Sequence, residues 1–178
     1  MISEIQKIKL GEHGFLETAI DPTIDLFEEI KKLKKEKNAI LLAHYYQDED
    51  IQDIADYIGD SLGLAREAEK TNADIIVFAG VHFMAETAKI LSPDKLVLHP
   101  SPEAGCSLSE SITAQDVRDL REKYPGVPVA CYINTTAEVK AEVDVCVTSS
   151  NYLKICENLP GNKLIFVPDK FMGEHLQN

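Results

Sequence analysis

Hydrophobic positions divide the chain into two textures. After Asp21-Pro22, Leu26, Phe27, Ile30 and Leu33 recur on one face, while Lys31, Lys32, Lys34, Lys35 and Lys37 fill the other. This is the pattern of an amphipathic helix, with Asp21 as N-cap, Pro22 at its first position and an end near Asn38. The lysine run reads as a solvated face that also complements the helix C-terminus. Residues 1–20 show no clear period and are expected to form an extension lying on the body. From Ala39 onward, short apolar runs alternate with helical patterns. The runs are Ala39–Ala43, Ile75–Ala79, Leu96–His99, Val127–Ile133, Val143–Val147 and Leu164–Val167. Leu62–Lys70, Phe83–Leu91, Ala114–Tyr124 and Tyr152–Leu159 lie between them and read as helices, the third opened by a capping arrangement of Thr113 with Asp116. Strand–helix alternation with short connections predicts βα units and a mainly parallel sheet.

A shift of 88 residues superimposes the chain on itself without gaps. Phe83-Met84-Ala85-Glu86 falls on Phe171-Met172-Gly173-Glu174, Phe78 on Phe166, Asp56 on Asp144 and Ser61 on Ser149. Strict identity is low, and the shared order of strands and breaks carries the comparison. The repeat also changes a local reading. Ile51–Ile58 looks helical alone, but its counterpart Val143–Val147 is a strand, so Tyr57-Ile58-Gly59 is expected to be a short strand. The predicted organisation is an N-terminal extension and helix over 1–38, a first α/β repeat over 39–126, and a second over 127–178. The second repeat is shorter, and the chain is expected to be a fragment of a longer protein.

Composition narrows the function. Eighteen Lys and Arg against thirty Asp and Glu give a formal charge of −12. That balance argues against nucleic acid and against an anionic membrane surface. No stretch offers the roughly 18 consecutive apolar residues of a spanning helix. The polar, acidic start at Met1-Ile2-Ser3-Glu4-Ile5 lacks a signal-peptide core, so a cytoplasmic protein is expected. The four cysteines form no C-x-x-C pair, which disfavours a disulfide framework or a self-contained zinc knuckle.

In open parallel sheets, ligands bind beyond the carboxyl ends of strands. Polar residues collect there: His44, Tyr45 and Tyr46; Asp60 and Ser61; Tyr132, Asn134, Thr135 and Thr136; Thr148, Ser149, Ser150 and Asn151. All lie on one rim if the sheet is parallel. Ser61 and Ser149 stand just before helices, where a hydroxyl either caps the helix or helps to bind an anion. His44 can act as acid, base or donor near neutral pH. His13, His82, His99 and His175 read as structural or exposed. Cys106, in the aperiodic segment Ser101–Ser107, is the cysteine placed for chemistry; Cys131, Cys146 and Cys156 read as small buried hydrophobes. One cysteine per repeat makes a poor metal site, whereas three repeats would bring three together.

Several ordered motifs resemble the quinolinate synthase family. They are Ala43-His44-Tyr45-Tyr46-Gln47, Gln52-Asp53-Ile54-Ala55-Asp56, Gly59-Asp60-Ser61-Leu62, the run Phe78–Leu91, Tyr132-Ile133-Asn134-Thr135-Thr136-Ala137-Glu138, and Thr148-Ser149-Ser150-Asn151. Tyr45 and His82 depart from the family pattern, which usually has Asn and Asp there. The resemblance implies three α/β/α domains with short parallel sheets about a pseudo-threefold axis, of which about one and a half are present. It implies condensation of iminosuccinate with dihydroxyacetone phosphate to quinolinate, in de novo NAD biosynthesis, with a functional link to L-aspartate oxidase or aspartate dehydrogenase. It also implies a [4Fe–4S] cluster acting as Lewis acid, with one cysteine from each domain. By position, Cys106 matches the first cluster ligand, the other two being expected beyond residue 178. His44 and Tyr46 match catalytic residues; His44, Ser61, Tyr132, Asn134 and Ser149 match substrate-contacting ones. With two of three ligands missing, the isolated chain is expected to be inactive. The other readings are a non-catalytic fragment or binding module for dicarboxylate and phosphate, and a metal-free hydrolase using Ser61 with His44, which no G-x-S-x-G elbow supports.

Overall fold

The computed structural model describes residues 19–101 and 103–177, so the expected N-terminal extension lies almost wholly outside the described residues. The chain divides into two compact units between Ala104 and Gly105. The first contains α1 (Leu26–Glu36), β1 (Ala39–His44), α2 (Glu49–Ile54), β2 (Tyr57–Gly59), α3 (Ser61–Lys70), β3 (Ile75–Ala79), α4 (His82–Leu91) and β4 (Leu96–Leu98). The second contains a 3₁₀ turn (Ser109–Ser111), then α5 (Ala114–Lys123), β5 (Val129–Tyr132), α6 (Ala137–Ala141), β6 (Val145–Val147), α7 (Tyr152–Cys156), β7 (Ile165–Val167) and α8 (Lys170–His175). Each unit has its own parallel sheet, ordered β2-β1-β3-β4 and β6-β5-β7. The expected repeated α/β architecture with short parallel sheets is therefore present.

The repeat holds to the level of register. Ala43 pairs with Ile58 and with Ala79, and the positions 88 residues on behave likewise, Cys131 pairing with Cys146 and with Val167. Alternation along the central strands sends successive residues to opposite faces. In the first unit Leu41 and Ala43 pack with Ile51 and Ile54 of α2. In the second, Val129 and Cys131 pack with Ile112, Val117 and Val139 on the side of α5 and α6. Ala130 and Val147 pack with Tyr152, Ile155 and Leu176 on the side of α7 and α8. Helices on both faces explain why the central strands are apolar along their length rather than alternating.

Three sequence expectations shift. First, α5 packs on the second sheet instead of closing the first repeat, so the boundary between units falls at 104/105 rather than at 126/127. Helix α1 holds the matching place before β1. In each unit an amphipathic helix precedes the central strand, and counting from the strand cut the repeat one element late. Second, the N-cap of α1 is Asp25, whose carboxylate accepts from the N–H groups of Phe27 and Glu28 at 3.1 and 3.2 Å. Asp21 instead accepts from the N–H and hydroxyl of Thr23. Third, the segment around Ile51–Ile58 is both helix and strand: α2 ends at Ile54 and β2 begins at Tyr57. The capping box of Thr113 and Asp116 forms as expected, with Thr113 N donating to the Asp116 carboxylate at 2.8 Å and Asp116 N to the Thr113 hydroxyl at 3.2 Å.

The same aspartate locks the central strand of each unit. Asp56 donates its N–H to the Leu41 carbonyl, and its carboxylate accepts the Leu41 N–H at 2.7 Å. Asp144 does both for Val129, also at 2.7 Å to the carboxylate. A cation from the preceding helix then sits on each carboxylate, Lys34 at 2.9 Å and Arg121 at 2.9 Å. Asp56→Ala leaves a part-buried strand N–H without its acceptor and should lower the unfolding free energy by about 1–3 kcal/mol in urea titration. Asp56→Asn keeps an acceptor oxygen and loses only the ion pair, a cost of about 1 kcal/mol or less. Equal losses in the two variants would show that charge, not the strand hydrogen bond, is what Asp56 supplies.

Candidate functional site

The polar residues picked from the sequence stand at the carboxyl ends of parallel strands, within each unit on that unit's own sheet. In the first unit β1 ends in His44, which is buried, followed by Tyr45 and Tyr46, which are exposed. The three rings cluster. His44 stacks on Tyr45 with centroids 4.4 Å apart, and Tyr46 lies 4.5 Å from His44 and 4.7 Å from Tyr45. Tyr46 N–H donates to His44 Nδ1 at 3.3 Å. A backbone N–H can only donate, so Nδ1 is an acceptor and the neutral ring carries its proton on Nε2. Burial pushes the His44 pKa down, against a smaller opposing pull from the Asp60 charge. His44 is thus a neutral donor at its Nε2, with the 80% exposed Tyr46 ring beside it.

Ser61 is the first residue of α3, not its cap. Asp60 takes that place, its carboxylate accepting the Gly63 N–H at 2.7 Å. The Ser61 hydroxyl bonds to no described residue, so capping does not account for it. Sequence reading placed Asp60 at the strand end without assigning it the cap or the field on His44. The signal was available, since aspartate is among the best N-cap residues. Tyr45 N–H donates to the Gly59 carbonyl, tying the end of β1 to β2.

The second unit repeats this arrangement with other side chains. Ile133 N–H donates to the Val147 carbonyl at 2.8 Å, the counterpart of the Tyr45–Gly59 bond. Tyr132 ends β5, and Asn134 follows with its Nδ2 4.0 Å from the Cys106 sulfur. Ser149 is exposed in the turn before α7, where Thr148 N–H donates to Asn151 Oδ1 at 2.7 Å. The structure thus joins Asn134 to Cys106 within this unit, and His44 to Tyr46 within the first. A groove of about 860 Å³ lies elsewhere, against β7 and α8, and none of the predicted site residues lines it.

Cys106 is a free, half-buried thiol. Thiolate is the donor that iron–sulfur clusters take, so the residue fits one ligand position of such a group. Among the described residues no group of three His, Cys, Asp or Glu could hold a metal ion. No helix of the described residues is long and apolar enough to cross a membrane.

Paired α/β units with helices on both sheet faces and polar strand ends define a repeat α/β protein. The family described as Quinolinate synthetase A protein matches residues 28–178. A relative named Quinolinate synthase from Aquifex aeolicus (strain VF5) is 59% identical over 149 residues, 84% of this chain and 46% of that protein. One of the same name from Sulfurihydrogenibium sp. (strain YO3AOP1) is 57% identical over 152 residues, 85% of this chain and 49% of that protein. Another, from Dehalococcoides mccartyi (strain CBDB1), is 56% identical over 144 residues, 81% and 48% of the two chains. The chain belongs to the quinolinate synthetase A family. It spans about half the length of the curated relatives it matches.

The depressed His44 pKa has a stability consequence. Relative to an ordinary histidine near 6.5, the folded protein resists protonation. The unfolded chain then binds more protons between the two values, so stability is complete above about pH 6.5 and is lost as pH falls through the folded pKa. Urea titrations from pH 7.5 to 5 should show stability falling in the natural protein and falling less steeply in His44→Asn. Identical slopes would remove His44 as the source.

Proposed function

We propose that this chain is part of a quinolinate synthase, which condenses iminosuccinate with dihydroxyacetone phosphate, releases phosphate and water, and forms quinolinate for NAD biosynthesis. The observation that carries this reading is that the family match over 28–178 takes in every strand end at which polar residues collect. The substrates carry carboxylates and a phosphate. The hydroxyls of Ser61 and Ser149 bond to no described residue and stand at or near helix starts, where N–H groups favour anions. Tyr132 and Asn134 add an acceptor-donor pair at the end of β5. His44 Nε2–H donates toward a substrate oxygen, and Tyr46 assists proton transfer beside it. Both follow β1, so the strand orients them.

Cys106 would hold a [4Fe–4S] cluster together with thiolates outside this chain. When bound, that cluster supplies Lewis acidity at an iron without a protein ligand. Asn134, beside the Cys106 sulfur, keeps a polar amide next to that ligand position. The iminosuccinate substrate must come from oxidation of aspartate, the reaction class of L-aspartate oxidase or aspartate dehydrogenase. Cytoplasmic residence is part of the same reading.

The test uses the full-length protein. Cys106→Ser replaces a thiolate by a neutral hydroxyl and should lose the brown chromophore, about four iron atoms per chain, and quinolinate formation. Cys156→Ser should keep all three and lose only packing, about 1–2 kcal/mol. A Cys106→Ser protein that retains its iron would contradict the ligand assignment.

A further inference from the structure

The second unit contains a thiol pair that the function above does not use. Cys131 on β5 and Cys146 on β6 are direct register partners, and their sulfurs lie 3.3 Å apart. Packing does not require sulfur here, because the matching register pair in the first unit is Ala43 and Ile58. The two cysteines differ in access. Cys131 is fully buried, whereas Cys146 is half-buried and reachable. They also differ in surroundings. The Cys131 S–H donates to Cys146, which leaves the Cys146 sulfur as the acceptor, and Thr135 Oγ1 lies 3.6 Å from the Cys131 sulfur. Lys140, whose ammonium is held by the Thr135 carbonyl, supplies positive charge on the same side.

We propose that Cys131 and Cys146 form a dithiol–disulfide couple oxidised by low-molecular-weight disulfides, with Cys146 as the attacking thiol and Cys131 as the resolving one. In the first step the Cys146 thiolate attacks one sulfur of the small disulfide. A mixed disulfide forms and the other half leaves as a thiolate. In the second, Cys131 loses its proton to solvent and attacks the Cys146 sulfur, releasing the second half as a thiol. The protein loses two electrons and two protons, and the small disulfide gains them. Strand geometry allows the product, since neighbouring strands lie about 4.7–4.9 Å apart and disulfides span Cα separations of about 4.4–6.8 Å. The assignment of roles agrees with the electrostatics. The hydrogen bond from Cys131, with help from Lys140, holds the Cys146 thiol below its ordinary range, and the same bond with burial pushes Cys131 above it. Thiolate is the reactive form, so Cys146 reacts first. The new bond would tie β5 to β6 one residue before Tyr132 and two before Thr148, next to the strand ends of the candidate site.

The experiment treats the folded chain with 2,2′-dithiodipyridine, alkylates residual thiols without reductant, and maps tryptic peptides by mass. Cleavage after Lys123, Lys140 and Lys154 puts the two cysteines in separate peptides. The expected product is peptide 124–140 joined to peptide 141–154, separated again by reductant. In Cys131→Ala, Cys146 should keep a stable pyridylthio adduct. In Cys146→Ser, Cys131 should react at least about tenfold more slowly than the pair does in the natural chain, as a buried, little-ionised thiol must. A natural chain in which Cys146 ends as a stable adduct, or pairs with Cys106 or Cys156, overturns the proposal. So does a Cys131 that reacts equally fast without Cys146.

Discussion

Each unit is built on a strand with no side facing water. β1 and β5 are paired on both edges by parallel neighbours and covered on both faces by helices. Such a strand must be apolar along its length, and its backbone must be satisfied by its neighbours from end to end. Asp56 and Asp144 serve this requirement at the entry side, each closing the N–H and carbonyl of a residue near the strand start. At the exit side the same constraint releases polar chemistry abruptly. His44 and Tyr132 are the last residues of their strands, and polar side chains follow at once.

That arrangement explains how one scaffold hosts different groups in its two copies. The backbone bonds from Tyr45 to Gly59 and from Ile133 to Val147 are equivalent, so both exits have the same frame. The first frame carries an aromatic cluster around a buried, neutral histidine; the second carries a tyrosine, an amide and a nearby thiol. Register fixed by the strands holds the two exits in the same backbone frame while their side chains differ. Phe83 is 2% exposed and its counterpart Phe171 is 78% exposed, so the two copies differ around α4 and α8. Strand β3 has β4 on its outer edge, whereas no described strand pairs with the outer edge of β7.

Much of this was legible in the chain itself. Among the described residues apolar runs located all seven strands, β2 only through its repeat partner, because Ile51–Ile58 has a helical period until Val143–Val147 is laid over it. The helical period that α2 does show was set aside in favour of the strand in its repeat partner, and α6 escaped because five residues hold little periodicity. The unit boundary was misjudged because a helix that covers the strand after it looks, in sequence, like one that completes the strand before it. Candidate residues at strand exits were readable from position. The contact of Cys131 with Cys146 was not, since both cysteines lie in apolar runs and only parallel register brings them face to face.

We propose that phosphate- and carboxylate-bearing anions bind at the strand exits of each unit. Amide hydrogen exchange on the full-length protein, with and without saturating dihydroxyacetone phosphate, tests it directly. Protection should appear at the exit segments, residues 59–63, 132–136 and 148–152, and leave the entry segments, residues 72–75 and 126–128, unchanged. Protection confined to the entry segments, or to the groove along β7 and α8, would contradict the account.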